Sequence, residues 1–386
     1  MKNVQAAISP LLIVLCLCGF GVFEYPQNQP KLYLSILYIL ISWLLHIYLI
    51  IETRIYCQTF KIDLDMSIET NIISGVLYML LTFYYDKKFK DCLNRLTIVN
   101  ETLEKLGTPK NYMKLRKQII WLIIGWIVSI FFMNIISSLW FFIHMSRSQI
   151  VMAIYVSLIV NHSYHINVIY DFKYMTLLRY VGTQFEHVNQ HIQKLTELKK
   201  RQVRHAWATS TSPLMNRHMA GAETSKRIIC ILMHVHRELC LISRELTTIF
   251  GLQMVMQVII FQVYTIQLIY EFYDTMINVK STYELAINIS DTYVWATINF
   301  VKMIVFNYIC EGLCSKANRT ELFLNRLTNL IFDVETQENI MQFLLQILQR
   351  PLRISGLGLF YFGYKFIYEC VNYIGTILIF ALQSHS

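Results

Sequence analysis

Residues 110–142 read KNYMKLRKQIIWLIIGWIVSIFFMNIISSLWFF, and two features of this stretch decide the fold. Its first part is basic, and residues 119–142 then form an apolar run without a charged side chain. About 20 apolar residues are enough for an α-helix to cross the hydrocarbon core of a bilayer. The stretch therefore predicts a transmembrane helix that is preceded by a basic linker.

Similar apolar segments recur along the whole chain of 386 residues. They predict seven spans, at residues 32–51, 72–85, 119–142, 150–170, 249–270, 293–310 and 357–382. Only 15% of the residues are charged and the mean hydropathy is +0.42, whereas soluble domains carry about 25% charged residues. We predict an all-α, multi-pass protein of the plasma membrane. Its second span is the weakest, because it is the shortest and follows Glu69 and Asn71.

Lysine and arginine are concentrated in alternate linkers, at 86–117, 171–248 and 311–356. The intervening linkers hold only Arg54 and Lys61, then Arg147, then Lys280. Because Lys and Arg stay on the cytoplasmic side, this asymmetry predicts a cytoplasmic N-terminus and, after seven crossings, an extracellular C-terminus. Anionic membrane lipid is the expected partner of the basic linkers. The chain has no nucleic-acid-binding motif despite its net charge of +9, so no nucleic-acid partner is expected.

The basic linkers also show helical periodicity, which predicts helices that continue beneath the membrane. On one of them the apolar positions are Leu178, Val181, Phe185, Val188, Ile192 and Leu195. Residues 1–31 are predicted to be a cytoplasmic or interfacial segment. The apolar run at 8–23 within it is short for a crossing, and an uncleaved interfacial helix is favoured over a removed signal peptide.

Polar side chains lie on one face of three predicted spans, although polar groups in hydrocarbon are costly. Hydrogen bonds between helices would explain any one of them. Three polar faces together favour a shared cavity that binds a small polar organic molecule. The predicted ligand contacts are Tyr164, His165, Tyr264, Gln267, Glu271, Asp291, Trp295 and Asn299.

Motifs that would indicate catalysis are missing from the sequence, which has no HExxH, GxSxG or Walker A pattern and no paired CxxC. We therefore expect no catalytic residue, no metal site and no cofactor. The sequon Asn288-Ile-Ser lies in a predicted outer linker and is a candidate for glycosylation. Asn100 also starts a sequon, but it lies in a predicted inner linker and should stay bare.

Three stretches near the C-terminus carry a family resemblance: SKANRTELFLNRL at 315–327, ISGLGLFYF at 354–362 and TILIFALQS at 376–384. They resemble the C-terminal region of insect gustatory receptors, whose signature is Thr-Tyr, five apolar residues and Gln-Phe. Thr376 and Gln383 match at the required spacing, while Ile377 and Ser384 replace the Tyr and the Phe. HRELCLISRELTTIFG at 236–251 resembles the segment of the same family that enters the fifth span.

The resemblance implies a tetrameric, ligand-gated, non-selective cation channel of chemosensory neurons, opened by a small tastant. The four subunits could be identical or of different kinds. The inner linkers would form an anchor domain around the tetramer axis. The last helix, residues 357–383, would line the pore, with Thr376, Phe380 and Gln383 at the gate.

Two other receptor classes share features with this sequence. An insect odorant receptor subunit has the same architecture and is the nearer alternative. A G-protein-coupled receptor would need an extracellular N-terminus, which the basic linkers oppose. The class of tastant stays open among sugars, bitter compounds, amino acids and carbon dioxide.

Overall fold

The computed structural model describes residues 3–22, 31–60, 66–109, 111–145, 149–208, 215–278 and 282–383. Its description of side chains leaves out those at 32, 205–208, 215–222, 271–278, 282–292, 377–378 and 380–382. The described helices are α1 (Val4–Leu17), α2 (Leu32–Thr59), α3 (Met66–Lys105), α4 (Tyr112–His144), α5 (Ile150–Ala208), α6 (Met215–Asn278), α7 (Thr282–Thr328), α8 (Val334–Gln349) and α9 (Tyr364–Gln383). A short antiparallel hairpin of β1 (Ser355–Gly356) and β2 (Phe360–Tyr361) separates α8 from α9.

Each predicted span falls on one helix, the first six on α2 to α7 in order and the seventh on α9. Among the described residues, α2, α3, α4, α6 and α7 contain segments long and apolar enough to cross a membrane. The span of α5 is more polar because it carries side chains such as Asn161, His165 and Asn167, all of which are buried. The side chains of α9 are described only in part. The number of crossings and their orientation stay predictions from the sequence.

The helix α4 exposes many of its apolar side chains and buries two of its polar ones. Trp121 is 72% exposed and Phe131 67%, whereas Asn134 and Ser137 are buried against other helices. Lipid tails solvate apolar groups, and polar groups in hydrocarbon need protein partners. This arrangement suits a helix whose outer face contacts lipid.

Four helices are much longer than the roughly 20 residues that a crossing requires. The helices α3, α5, α6 and α7 have 40, 59, 64 and 47 residues. All six apolar positions predicted on α5 between 178 and 195 are buried, in one hydrophobic core with Leu239 of α6 and Phe343 of α8. Arg95 of α3 reinforces this packing through ion pairs with Glu238 and Glu245 of α6, at 2.9 and 2.8 Å.

The short helix α1 packs on α3 and α4. The Asn3 side chain caps its first turn by accepting a hydrogen bond from the Ala6 amide, at 3.3 Å. Its buried positions, Val4, Ala7, Ile8, Leu11 and Leu15, lie on one face at helical spacing. Its 14 residues are too few to cross the bilayer core.

The last helix begins later than the sequence predicted, at Tyr364 instead of residue 357. Leu357 (φ 52°) and Gly358 (φ 77°) adopt left-handed backbone conformations, which a right-handed helix cannot include, and they form the turn of the hairpin. The Leu357 side chain packs on Gly251 of α6, where a Cβ atom would lie 2.9 Å from it. Gly363 then donates its amide proton to Asn307 Oδ1 of α7 at 2.9 Å, which ties the start of α9 to the bundle.

Candidate ligand-binding site

Tyr164 of α5, Tyr264 of α6 and Trp295 of α7 form one cluster of aromatic rings. The Tyr164 ring centroid lies 4.6 Å from Trp295, edge-on at 85°, and 6.2 Å from Tyr264. The rings of Tyr264 and Trp295 are nearly parallel, with centroids 6.3 Å apart. All three side chains are buried, and Met133 of α4 and Ile260 of α6 pack against them. Side chains of four helices therefore converge here.

A polar network borders these rings between α4 and α5. Asn134 donates from Nδ2 to His165 Nε2 at 3.1 Å, and Ser157 donates from Oγ to the Asn134 carbonyl at 3.1 Å. The His165 ring centroid lies 6.3 Å from that of Trp295. Trp126 donates its indole proton to the His165 carbonyl at 3.0 Å. The network holds the His165 ring beside the aromatic cluster.

A second polar network reaches the rings from α3. Asn71 donates from Nδ2 to the Tyr264 hydroxyl at 3.1 Å. Asn167 of α5 donates to the Asn71 carbonyl at 2.8 Å and to Ser74 Oγ at 2.7 Å. All four side chains are buried. Such paired polar groups specify the rotation of α3 against α5 and α6, because any other rotation would leave them without partners.

A buried ion pair lies next to the aromatic cluster. Lys302 of α7 places its ammonium 3.1 Å from Asp171 Oδ2, and Gln253 of α6 donates to Asp171 Oδ1 at 2.7 Å. The same ammonium lies 5.6 Å from the Tyr164 ring centroid. Asp171 is 1% exposed. The pair therefore couples α5, α6 and α7 at the edge of the cluster.

Two buried polar atoms at the cluster have no hydrogen-bond partner among the described residues, namely Tyr164 Oη and Asn299 Oδ1. The Asn299 amide group donates from Nδ2 to the Trp295 carbonyl, one helix turn before it, at 2.9 Å. Buried polar atoms in native proteins are nearly always paired, so each unpaired one needs an explanation. A hydroxyl and an amide oxygen beside aromatic rings could bind a small molecule that has both apolar and polar groups.

Five of the predicted ligand contacts lie together in this site: Tyr164, His165, Tyr264, Trp295 and Asn299. Gln267 is half-buried, three residues beyond Tyr264 on α6. The side chains of Glu271 and Asp291 lie outside the described residues, as does that of Asn288, the predicted glycosylation site.

Sequence reasoning missed Asn71, Asn134 and Asp171. Asn134 is an isolated amide in an otherwise apolar run, and this signal could have identified it. Asn71 was interpreted as a weakness of the second span, although in the structure it is buried and hydrogen-bonded. Asp171 directly follows the predicted fourth span and was assigned to a linker, so no pattern in the sequence paired it with Lys302.

The predicted gate residues lie on the second half of α9, far along the chain from the aromatic cluster. The Thr376 hydroxyl donates to the Asn372 carbonyl at 3.0 Å, and both Thr376 and Gln383 are exposed. The Phe380 side chain lies outside the described residues. The helix packs against α7 and exposes apolar side chains such as Tyr368 and Ile379.

Comparisons with known proteins give one family match and similar solved structures. The family model described as 7tm Chemosensory receptor matches residues 9–386. The solved structure of the insect olfactory receptor OR5 from Machilis hrabei is similar over 98% of both chains, with a TM-score of 0.67 and 12% identity. The same receptor in complex with eugenol is similar over 99% of this chain and 98% of that one, with a TM-score of 0.60 and 14% identity. No curated protein matches this chain by sequence.

Proposed function

Because this chain belongs to the 7tm chemosensory receptor family of insects, a family of multi-pass plasma-membrane proteins, we propose that it is a ligand-gated, non-selective cation channel. A small tastant opens it by binding at the Tyr164–Tyr264–Trp295 cluster. The observation that carries this proposal is the convergence of four helices on aromatic rings that border two buried polar atoms with no hydrogen-bond partner in the described part of the chain. The Machilis hrabei receptor, which binds eugenol, supports a small-molecule ligand.

The ligand would have an apolar part that contacts the three rings and a polar group that bonds Tyr164 Oη or Asn299 Oδ1. The three rings contact one another, so a ligand that binds between them has to separate them. That movement shifts α7 relative to α5 and α6. A ligand with higher affinity for the separated arrangement stabilises it and so shifts the equilibrium towards the open channel.

The proposed pore is formed by α9 from four subunits, with Thr376, Phe380 and Gln383 at the gate. The helix is amphipathic and exposes much of its surface in the isolated chain, which suits a helix that contacts neighbouring subunits and a pore. Its start is bonded to Asn307 of α7, and α7 also carries Trp295. Movement of α7 at the ligand therefore has a direct route to the pore helix.

Two receptor branches fit this architecture, and we favour the gustatory one. The spacing of Thr376 and Gln383 matches the gustatory signature, which supports a tastant as the ligand. The second candidate is an odorant receptor subunit, which the similarity to the Machilis hrabei olfactory receptor supports. The test is to express the chain alone in cells with G-protein signalling blocked and to record currents evoked by panels of tastants and odorants. Currents that persist under the block support a channel, and the panel that evokes them distinguishes the two branches.

The site itself is tested with two matched tyrosine variants. Tyr164→Phe removes a hydroxyl that has no partner among the described residues, so stability should be unchanged or slightly higher. If that hydroxyl bonds the ligand, the half-maximal dose should rise about fivefold, since a hydrogen bond contributes on the order of 1 kcal/mol. Tyr264→Phe instead loses the bond from Asn71 and should lower stability by about 1 kcal/mol.

A lipid-exposed control completes the experiment. Trp295→Phe keeps an aromatic ring but shrinks the cluster, and it should shift the dose–response curve. Trp121→Phe, on the exposed face of α4, should leave the curve where it is. If Tyr164→Phe and Trp295→Phe reach the cell surface normally and respond like the wild type, the ligand binds elsewhere.

A further inference from the structure

A cavity lies away from the aromatic cluster, between α1, α3 and α5. Its volume is about 380 Å³, and its walls are mostly apolar: Leu12, Leu15, Phe20, Phe89 and Leu93. It is located where the predicted second span, which ends at residue 85, gives way to the basic linker. Cavities of this size are typical of small-molecule sites in proteins.

Lys173 of α5 also lines this cavity and is only 6% exposed. Its ammonium lies 4.0 Å from the Phe89 ring centroid, and 5.4 and 5.6 Å from those of Tyr170 and Phe250. No described residue forms a hydrogen bond with this ammonium or an ion pair within 4.0 Å of it, and the carboxylate of Asp86 acts on it only from a longer distance. The three rings offset part of the cost of burying the charge, but they supply no negative charge to neutralise it.

The anion of the cavity that acts on Lys173, Asp86, already belongs to another ion pair. The carboxylate of Asp86 pairs with the ammonium of Lys90 at 2.7 Å. Since Asp86, Lys90 and Lys173 are the charged residues of the described lining, the cavity carries one net positive charge. A buried cation that faces an apolar cavity calls for an anion attached to an apolar group.

We propose that this cavity binds an anionic amphiphile, with its apolar tail among the side chains of α1 and α3 and its phosphate or carboxylate on Lys173. The molecule comes either from the membrane, as an acidic phospholipid, or from the cell interior, as a free fatty acid. Both have the same recognition chemistry. The position at the junction of an apolar span and a basic linker suits either source, because headgroups lie at that depth. This inference is independent of the ligand at the aromatic cluster and of channel activity.

The experiment uses the full chain in lipid nanodiscs and three photoactivatable probes. Phosphatidic acid, phosphatidylcholine and palmitate each carry a diazirine on the acyl chain, and labelled peptides are identified by mass spectrometry. Phosphatidic acid or palmitate should label residues 9–22 and 82–93, and phosphatidylcholine should label them far less. Labelling by phosphatidic acid alone identifies a membrane lipid, and labelling by palmitate alone identifies a free acid. If neither acidic probe labels these residues above phosphatidylcholine, the proposal is overturned.

Variants then test the role of the ammonium. Lys173→Met should reduce labelling by the acidic probe about fivefold, because one lysine usually strengthens the binding of anionic lipid by about that factor. Lys173→Arg keeps the positive charge and should label like the wild type. Lys88→Met, an exposed lysine outside the cavity, is the matched control and should label like the wild type. Ser9→Leu, which keeps the charge but narrows the cavity, should also reduce labelling. Equal labelling of Lys173→Met and the wild type would refute the site. If the lysine variant fails to fold, equal labelling of Ser9→Leu and the wild type would refute it instead.

Discussion

Removing one member of the buried pair between Asp171 and Lys302 is expected to destabilise the helix bundle more than removing both. Asp171 is 1% exposed, and its carboxylate has two described partners, the Lys302 ammonium at 3.1 Å and the Gln253 amide at 2.7 Å. In Lys302→Met the carboxylate stays buried with the Gln253 amide as its remaining described donor. Leaving one charge of a buried pair uncompensated costs about 3–5 kcal/mol.

The double variant Asp171→Asn/Lys302→Met removes both charges and keeps an oxygen that can accept from Gln253. Replacing a buried pair by neutral groups of similar volume is often nearly neutral, so its loss should stay below about 1.5 kcal/mol. The exposed pair of Arg54 and Glu69, at 2.8 Å, provides the control. Glu69→Gln should cost at most about 1 kcal/mol, because water already solvates these two charges.

Wild type, both single variants, the double variant and the control are purified in the same detergent. Their unfolding by sodium dodecyl sulfate is followed by tryptophan fluorescence, which yields a free energy for each and a coupling energy for the pair. A Lys302→Met variant that is as stable as the wild type would show that the pair does not stabilise the bundle. A double variant that loses the sum of the two single losses would show that the two charges act independently, which also contradicts the prediction.

Three further predictions concern other parts of the chain. Burial lowers the pKa of His236 to about 4, whereas an unfolded histidine has a pKa near 6.5. Because the unfolded chain binds the proton more readily, the free energy of unfolding should fall by about 2 kcal/mol between pH 6.5 and pH 5. A melting temperature that drops equally in His236→Gln and the wild type would contradict this, and the variant of the exposed His234, His234→Gln, is the control. Gln383→Ala should alter the basal current or the ion selectivity if the residue lies at the pore, and wild-type permeability ratios would place it elsewhere. Asn288→Gln should abolish a glycosidase-sensitive shift on a gel, whereas a glycan on Asn100 would reverse the predicted orientation.

The positions of the helices could be predicted from the sequence because they depend on local properties. Apolar runs and helical periodicity belong to neighbouring residues, and the buried positions from Leu178 to Leu195 on α5 follow that periodicity. The start of α9 could not be predicted in this way. Its position depends on a left-handed turn at Leu357 and Gly358, which is stabilised by contacts with α6 and α7.

The candidate site was predictable in part. Polar and aromatic positions on three spans identified Tyr164, Tyr264 and Trp295 as facing the interior of the bundle, since such groups avoid lipid. Nothing in the sequence indicated that Asn71 would reach Tyr264 from α3, or that the Lys302 ammonium would pair with Asp171.

The sequence by itself determined that the chain is helical, that it is rich in membrane spans and which faces of those spans avoid lipid. Only the tertiary structure decided which groups meet, such as the rings of Tyr164 and Trp295, or Lys173 and the apolar side chains of the cavity between α1, α3 and α5. The physical reason is that these contacts join residues far apart in the chain. They depend on the rotation and depth of each helix, and both are settled by packing against neighbouring helices rather than by local sequence.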